Sequence, residues 1–240
     1  MDDLTIIICT FNEERTICDV VKACRLYNKR SEIIVVDDGS QDNTELLLRN
    51  LNKSIRFNYI KLAENRGKSY AMTVGIENAG NDVLLFFDAD SIGIRKEHFH
   101  TMLLPVIENK ADMVLGHTAA AIANVKLTPF KSFTGERVLH KKDILPILDE
   151  IRNIRFGIET YINLYFKTHG KRISYVYLEG LRTLTKYEKT TLIKATRQYF
   201  SEGGEITSTI IKNSNLIFKI AKSSISKAND RVKKFSRNVK

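Results

Sequence analysis

Residues 83–90 read Val83-Leu84-Leu85-Phe86-Phe87-Asp88-Ala89-Asp90, an apolar run that stops abruptly on two carboxylates. A run of that length, apolar at every position, fits a β-strand covered on both faces. Similar units precede it. Leu4 to Cys9 (LTIIIC) is closed by Thr10-Phe11-Asn12, and Glu32 to Val36 (EIIVV) ends in Asp37-Asp38-Gly39-Ser40. Phe57 to Leu62 alternates like a third strand and is followed by Glu64-Asn65-Arg66-Gly67-Lys68. Between these runs, helical spacing predicts helices over 13–27, 43–51 and 69–79.

Strand and helix thus alternate four times in the first ninety residues, which predicts an α/β fold: a mostly parallel sheet flanked by helices. Ligands in such sheets bind outside the carboxyl ends of the strands. The polar clusters TFNE, DDGS, ENRGK and DAD all fall at those ends. Beyond Asp90 the pattern loosens. It predicts helices over 96–109, 143–151 and 157–169, strands over 112–116, 135–140 and 172–178, and no clear period over 119–133. Residues 1–200 read as one domain, followed by a tail over 201–240.

The chain has 240 residues, 43% hydrophobic and 28% charged, the balance of a globular protein. No run of about 18 uncharged apolar residues occurs, so no membrane-crossing helix is predicted. Met1-Asp2-Asp3 lacks the basic start of a secretory signal. Cys9, Cys18 and Cys24 are odd in number and suit neither a disulfide framework nor a zinc site, so buried thiols in a reducing cytoplasm are expected.

The net charge of +10 is uneven, with 13 basic against 4 acidic residues from Lys186 onward. Within that stretch Ile210, Ile217, Ala221, Ile225, Ala228, Val232 and Phe235 recur at helical spacing. A continuous helix over 207–237 would be roughly 45 Å long, apolar on one side and basic on the other. Its readings are a peripheral helix on an anionic membrane surface, packing on the domain, or pairing with a second copy in a dimer. Nucleic acid is set aside as a partner, because few aromatic residues interleave with the basic ones.

Two carboxylates two residues apart at a strand end, Asp88 and Asp90, can face one ligand. Hard cations such as Mg²⁺ or Mn²⁺ take oxygen ligands and share them with substrate phosphates. Other residues keep two readings at this level. Asp37 and Asp38 suit a nucleotide site or a helix N-cap, with function favoured for Asp38. Gly67 and Lys68 suit phosphate contact or a plain turn. Arg137 is a phosphate ligand or a surface charge, and Glu159 a general base or a helix-start residue. His117 and His140 read as structural.

The segments TIIICTFNEERTI, EIIVVDDGSQDNT and ENRGKSYAMTVGIENAGNDVLLFFDAD, and more loosely GERVLHKKDI and FGIETYIN, resemble the family 2 glycosyltransferases of the GT-A fold. Within them the chain looks most similar to the branch of polyprenyl-phosphate sugar synthases. The resemblance implies a nucleotide-sugar donor (UDP- or GDP-) and a lipid-phosphate or saccharide acceptor at the cytoplasmic membrane face. It assigns Thr10, Phe11, Glu13 and Asp38 to the nucleoside, Lys68 to the nucleotide, and Asp88-Ala89-Asp90 to donor and metal. Arg137 aligns with a phosphate-directed arginine. Ile92 and Thr183 stand where relatives carry further metal ligands, so a metal would rest on Asp88 and Asp90. Asp90, Glu159 and Arg137 form the expected catalytic set. A non-catalytic nucleotide-binding protein on the same fold is the reading from another class.

Overall fold

The computed structural model describes residues 3–118, 134–152, 154 and 157–183. The elements in chain order are β1 (Leu4–Thr10), α1 (Ile17–Tyr27), β2 (Glu32–Asp37), α2 (Thr44–Leu51), β3 (Asn58–Lys61), α3 (Lys68–Asn78) and β4 (Val83–Asp88). There follow β5 (Ser91–Ile92), α4 (Lys96–Ile107), β6 (Met113–His117), β7 (Arg137–His140), α5 (Lys141–Ile144) and α6 (Leu148–Arg152). The last are α7 (Ile158–Thr168), β8 (Ile173–Tyr177) and β9 (Arg182–Thr183).

Seven strands form one sheet in the order β3-β2-β1-β4-β7-β6-β8. β1 runs parallel to β2 and β4, and β6 parallel to β8, while β7 runs antiparallel to both its neighbours. The continuous apolar runs have a simple cause. Side chains alternate between faces along a strand, and both faces are covered. Ile6, Ile8, Ile33, Val35, Leu85 and Phe87 pack with α1 and α4 on one side. Ile7, Ile34, Val36, Leu84 and Phe86 pack with α3 and α7 on the other.

Each predicted element of the first ninety residues is present, with shifted ends. Helix α1 starts at Ile17 rather than at residue 13, because residues 13–16 form a turn in which the Glu13 carbonyl accepts from Thr16 and Ile17. The helix expected over 143–151 is broken by a 3-10 turn at Leu145–Ile147. Pro146 lies in that turn and has no N–H to donate. The antiparallel β5–β9 ribbon was not anticipated; it sets Ser91 opposite Thr183 and Ile92 opposite Arg182. The predicted tail helix and the stretch 119–133 lie outside the described residues.

Candidate active site

The parallel arrangement brings the ends of β1, β2, β3 and β4 to one edge, and β7, running the other way, starts there with Arg137. The β1–α1 turn is tied to the second polar cluster. Asn12, at φ 56, donates its N–H to Ser40 Oγ (2.9 Å) and accepts from the Gln41 N–H at Oδ1 (2.8 Å). The Glu13 N–H donates to Thr44 Oγ1 at 3.0 Å. Phe11 is exposed, and the buried Thr10 hydroxyl has no hydrogen-bond partner among the described residues.

The two aspartates of the second cluster divide the work. Asp37 is fully buried; it accepts from the Ser40 N–H and from the Tyr59 hydroxyl, both at 2.8 Å. It is therefore structural, a brace between the β2 turn and β3. Asp38 accepts from the backbone N–H groups of Arg66 and Gly67, both at 2.8 Å, and so clamps the third cluster beneath α3. Gly39 is needed at this junction: its φ is +75°, and a Cβ there would lie 2.6 Å from the Glu64 backbone.

Lys68 opens α3, and its Nζ reaches two carboxylates at once, Asp88 Oδ1 at 2.7 Å and Glu159 Oε1 at 2.8 Å. Burial alone would lower the Lys68 pKa, but the two carboxylates hold it well above its ordinary value. Burial would likewise raise that of Glu159, yet Lys68 and then Arg137 bring it down to about 2. Asp88 is pressed from behind, since a Cβ on Gly135 would fall 2.0 Å from its Oδ1. Ala89 is buried and Asp90 half-buried.

Arg137 corrects one of the two readings given above, because it is not a surface charge. It is wholly buried, with Nη2 donating to the Thr134 carbonyl at 2.7 Å and with Nε and Nη1 lacking a partner among the described residues. Burial pushes its pKa down against the pull of Glu159, Asp88 and Glu136. Glu136 was not singled out in the sequence. It is buried and accepts from Ser91 Oγ (2.8 Å) and Thr134 Oγ1 (2.7 Å). Burial, then the Asp88 charge, raises its pKa to about 7 against those two hydrogen bonds. Its only sequence signal was an acid between Gly135 and Arg137 just ahead of an apolar pair.

The structure therefore brings Lys68, Asp88 and Glu159 into contact, with Arg137 within their field and Asp38 behind Lys68. His117 stacks on Tyr175, and His140 pairs with Asp82 at the opposite end of β4. The three cysteines are free; burial raises Cys9 and Cys24 to about 12, which makes them inert thiols. Asp88 and Asp90 offer oxygen donors only, as a hard divalent cation requires. The Lys68 ammonium already stands as a cation against Asp88. No three His, Cys, Asp or Glu side chains cluster as a metal cage among the described residues. A cation here would complete its shell with phosphate and water.

The glycosyl transferase family 2 model matches residues 5–175. Poly-beta-1,6-N-acetyl-D-glucosamine synthase of Staphylococcus aureus is 36% identical over 93 residues, 38% of this chain and 23% of that protein. The Staphylococcus epidermidis enzyme of that name is 30% identical over the same length. The alignment thus spans about a quarter of the length of these curated relatives. Among solved structures, glucosyl-3-phosphoglycerate synthase from Mycobacterium tuberculosis, in complex with Mn²⁺, UDP and glucosyl-3-phosphoglycerate, superposes with a TM-score of 0.63. The identity is 16%, over 84% of this chain and 78% of that one. S. aureus TarS 1-349 gives a TM-score of 0.57 at 18% identity, over 72% and 58% of the chains. At these identities it is the fold that is shared.

Proposed function

The chain belongs to glycosyl transferase family 2, and on that premise we propose that it moves a sugar from a UDP- or GDP-sugar to a phosphate-bearing acceptor, a polyprenyl or other lipid phosphate at the cytoplasmic membrane face. The observation that carries this reading is the ion-paired chain Asp88–Lys68–Glu159 beside the buried Arg137. Thr10, Phe11, Glu13 and Asp38 form the nucleoside side of the site. The N–H groups opening α3 and the Lys68 ammonium suit the diphosphate.

Asp88 and Asp90 would hold Mg²⁺ or Mn²⁺, whose charge neutralises the departing diphosphate. The acceptor oxygen bonds to the anomeric carbon as the bond from that carbon to the donor phosphate breaks, and the nucleoside diphosphate leaves with the electron pair. Glu159 bears on the acceptor. A carboxylate with a pKa of about 2 is a weak base, whereas an efficient general base lies near the working pH. A phosphate acceptor is already ionised and needs no proton removed. The Arg137 nitrogens that have no partner among the described residues would suit such an anion. The basic stretch 201–240 supports attachment to anionic lipid.

A saccharide acceptor is the second reading, favoured by the polysaccharide in the name of the staphylococcal relatives. A thermal-shift panel of UDP, GDP, ADP and CDP with and without Mn²⁺ tests the donor, since a ligand of the native state must stabilise it. UDP or GDP should stabilise the protein only in the presence of metal. Transfer to a polyprenyl phosphate but not to an oligosaccharide supports the acceptor; the reverse replaces it with the second reading. Deleting 201–240 should release the protein from anionic vesicles.

A further inference from the structure

The position of Lys68 has a consequence beyond holding a nucleotide. Its ammonium joins two carboxylates that belong to distant parts of the chain, Asp88 at the end of β4 and Glu159 in the first turn of α7. Only a glycine leaves space for the Asp88 carboxylate here, since a Cβ on residue 135 would fall 2.0 Å from the same Oδ1 that Lys68 holds. A divalent cation approaching Asp88 thus meets a cation already seated on Oδ1. The lysine is not locked in place. Its side chain is 37% exposed and retains a second anchor in Glu159.

We propose that Lys68 is the resident counter-ion of the donor site, bridging Asp88 and Glu159 while the site is empty and competing with the divalent cation for Asp88. A nucleoside diphosphate relieves the competition by giving the ammonium another anion to face. Metal alone then binds poorly, and metal and nucleotide bind with positive coupling. The inference rests on the donor reading given above but concerns an order of events that the reading does not contain.

Mn²⁺ binding to the full chain, followed by the paramagnetic resonance of free Mn²⁺ with and without UDP, tests it without any turnover. Lys68→Met keeps the stem and removes the ammonium. It should bind Mn²⁺ alone about tenfold more tightly than the natural protein, within the range of neighbouring charges that interact directly. UDP should improve that affinity less than it does in the natural protein. Lys68→Arg keeps a cation in place and should stay within about twofold of the natural protein. If Lys68→Met does not fold, Lys68→Gln makes the same test with a neutral polar chain, and unchanged or weaker Mn²⁺ binding there likewise overturns the proposal.

Arg66→Met separates contact from general field. Arg66 lies over the Tyr70 ring at 3.8 Å, and its removal should leave Mn²⁺ affinity nearly unchanged. Equal tightening in Arg66→Met, or unchanged or weaker Mn²⁺ binding in Lys68→Met, would overturn the proposal. If the natural protein binds UDP with Mn²⁺ and Lys68→Met still fails to tighten, the counter-ion role alone falls. If the natural protein binds no nucleotide with metal, the donor reading falls with it.

Discussion

The two halves of the sheet handle charge in opposite ways. Strands β1, β2 and β4 bury Ile, Val, Leu and Phe, and β2 and β4 run into carboxylates at their ends, where backbone N–H groups or a lysine meet them. At β7 the order is reversed. Arg137 stands inside the sheet opposite Phe86 and Leu115, fully buried, with two nitrogens unpartnered among the described residues. A buried charge left short of partners is costly, and native structures hold few of them. The first half is therefore built for stability with a site at its rim, and the second gives up stability at the site itself.

Replacing the arginine probes that difference most strongly. Arg137→Met removes an incompletely paired buried charge and fills the space with an apolar chain, so the melting temperature should hold or rise. Turnover should fall by about 10²–10³, the usual cost of losing one donor aimed at developing or bound charge. A sharp drop in melting temperature in calorimetry would make Arg137 a structural residue and erase the contrast.

Gly135→Ala acts on the seam between the halves. The added Cβ would overlap the Asp88 carboxylate, which can swing away at little cost in stability. A displacement of about 1 Å at a reacting site costs on the order of 10²-fold in rate. Normal melting with impaired Mn²⁺-dependent UDP binding is expected. Asp38→Asn tests the first half, where two N–H groups lose a charged acceptor. Each such bond is worth about 1.5–3 kcal/mol, so urea denaturation should show a loss of that order.

The last effect concerns Glu136, and its sign is opposite to that of an ordinary ion-paired carboxylate. Its pKa rises from 4.5 to about 7 in the folded chain. Between those values the folded protein keeps a proton that the unfolded chain has lost, so stability falls as pH rises through that window. Glu136→Gln should flatten that fall in urea titrations from pH 4 to pH 8, with the variant gaining on the natural protein above pH 7. A parallel pair of curves would place the cost elsewhere.

Legibility in the sequence follows the same division. The first half could be read because burial on both faces writes β1, β2 and β4 as near-continuous apolar runs, β3 shows as an alternation, and the site residues lie where these stretches stop. Asp88, Lys68 and Asp38 were found that way. Four-residue β7 was expected within 135–140 although no apolar run marks it, whereas the two-residue β5 and β9 left no trace, since pairings that short are set by distant partners. A single arginine does not announce its burial, so Arg137 kept a surface reading until the fold enclosed it. Glu136 passed unnoticed for the same reason. The break at Pro146 was visible in the letters, and proline's missing N–H should have ended the helix there.

The proposed donor site needs Asp88 and Asp90 as the oxygen ligands of a metal shared with a nucleoside diphosphate. Calorimetric titration of UDP and GDP into natural and Asp90→Ala protein, each with and without Mn²⁺, measures that directly. Asp90 sits half-buried just beyond the end of β4, so its truncation should leave melting nearly unchanged. The natural protein should bind one of the two nucleotides more tightly with Mn²⁺, and Asp90→Ala should lose that metal-dependent gain entirely. Equal Mn²⁺-dependent affinity in the two proteins would remove Asp90 from the site and contradict the account.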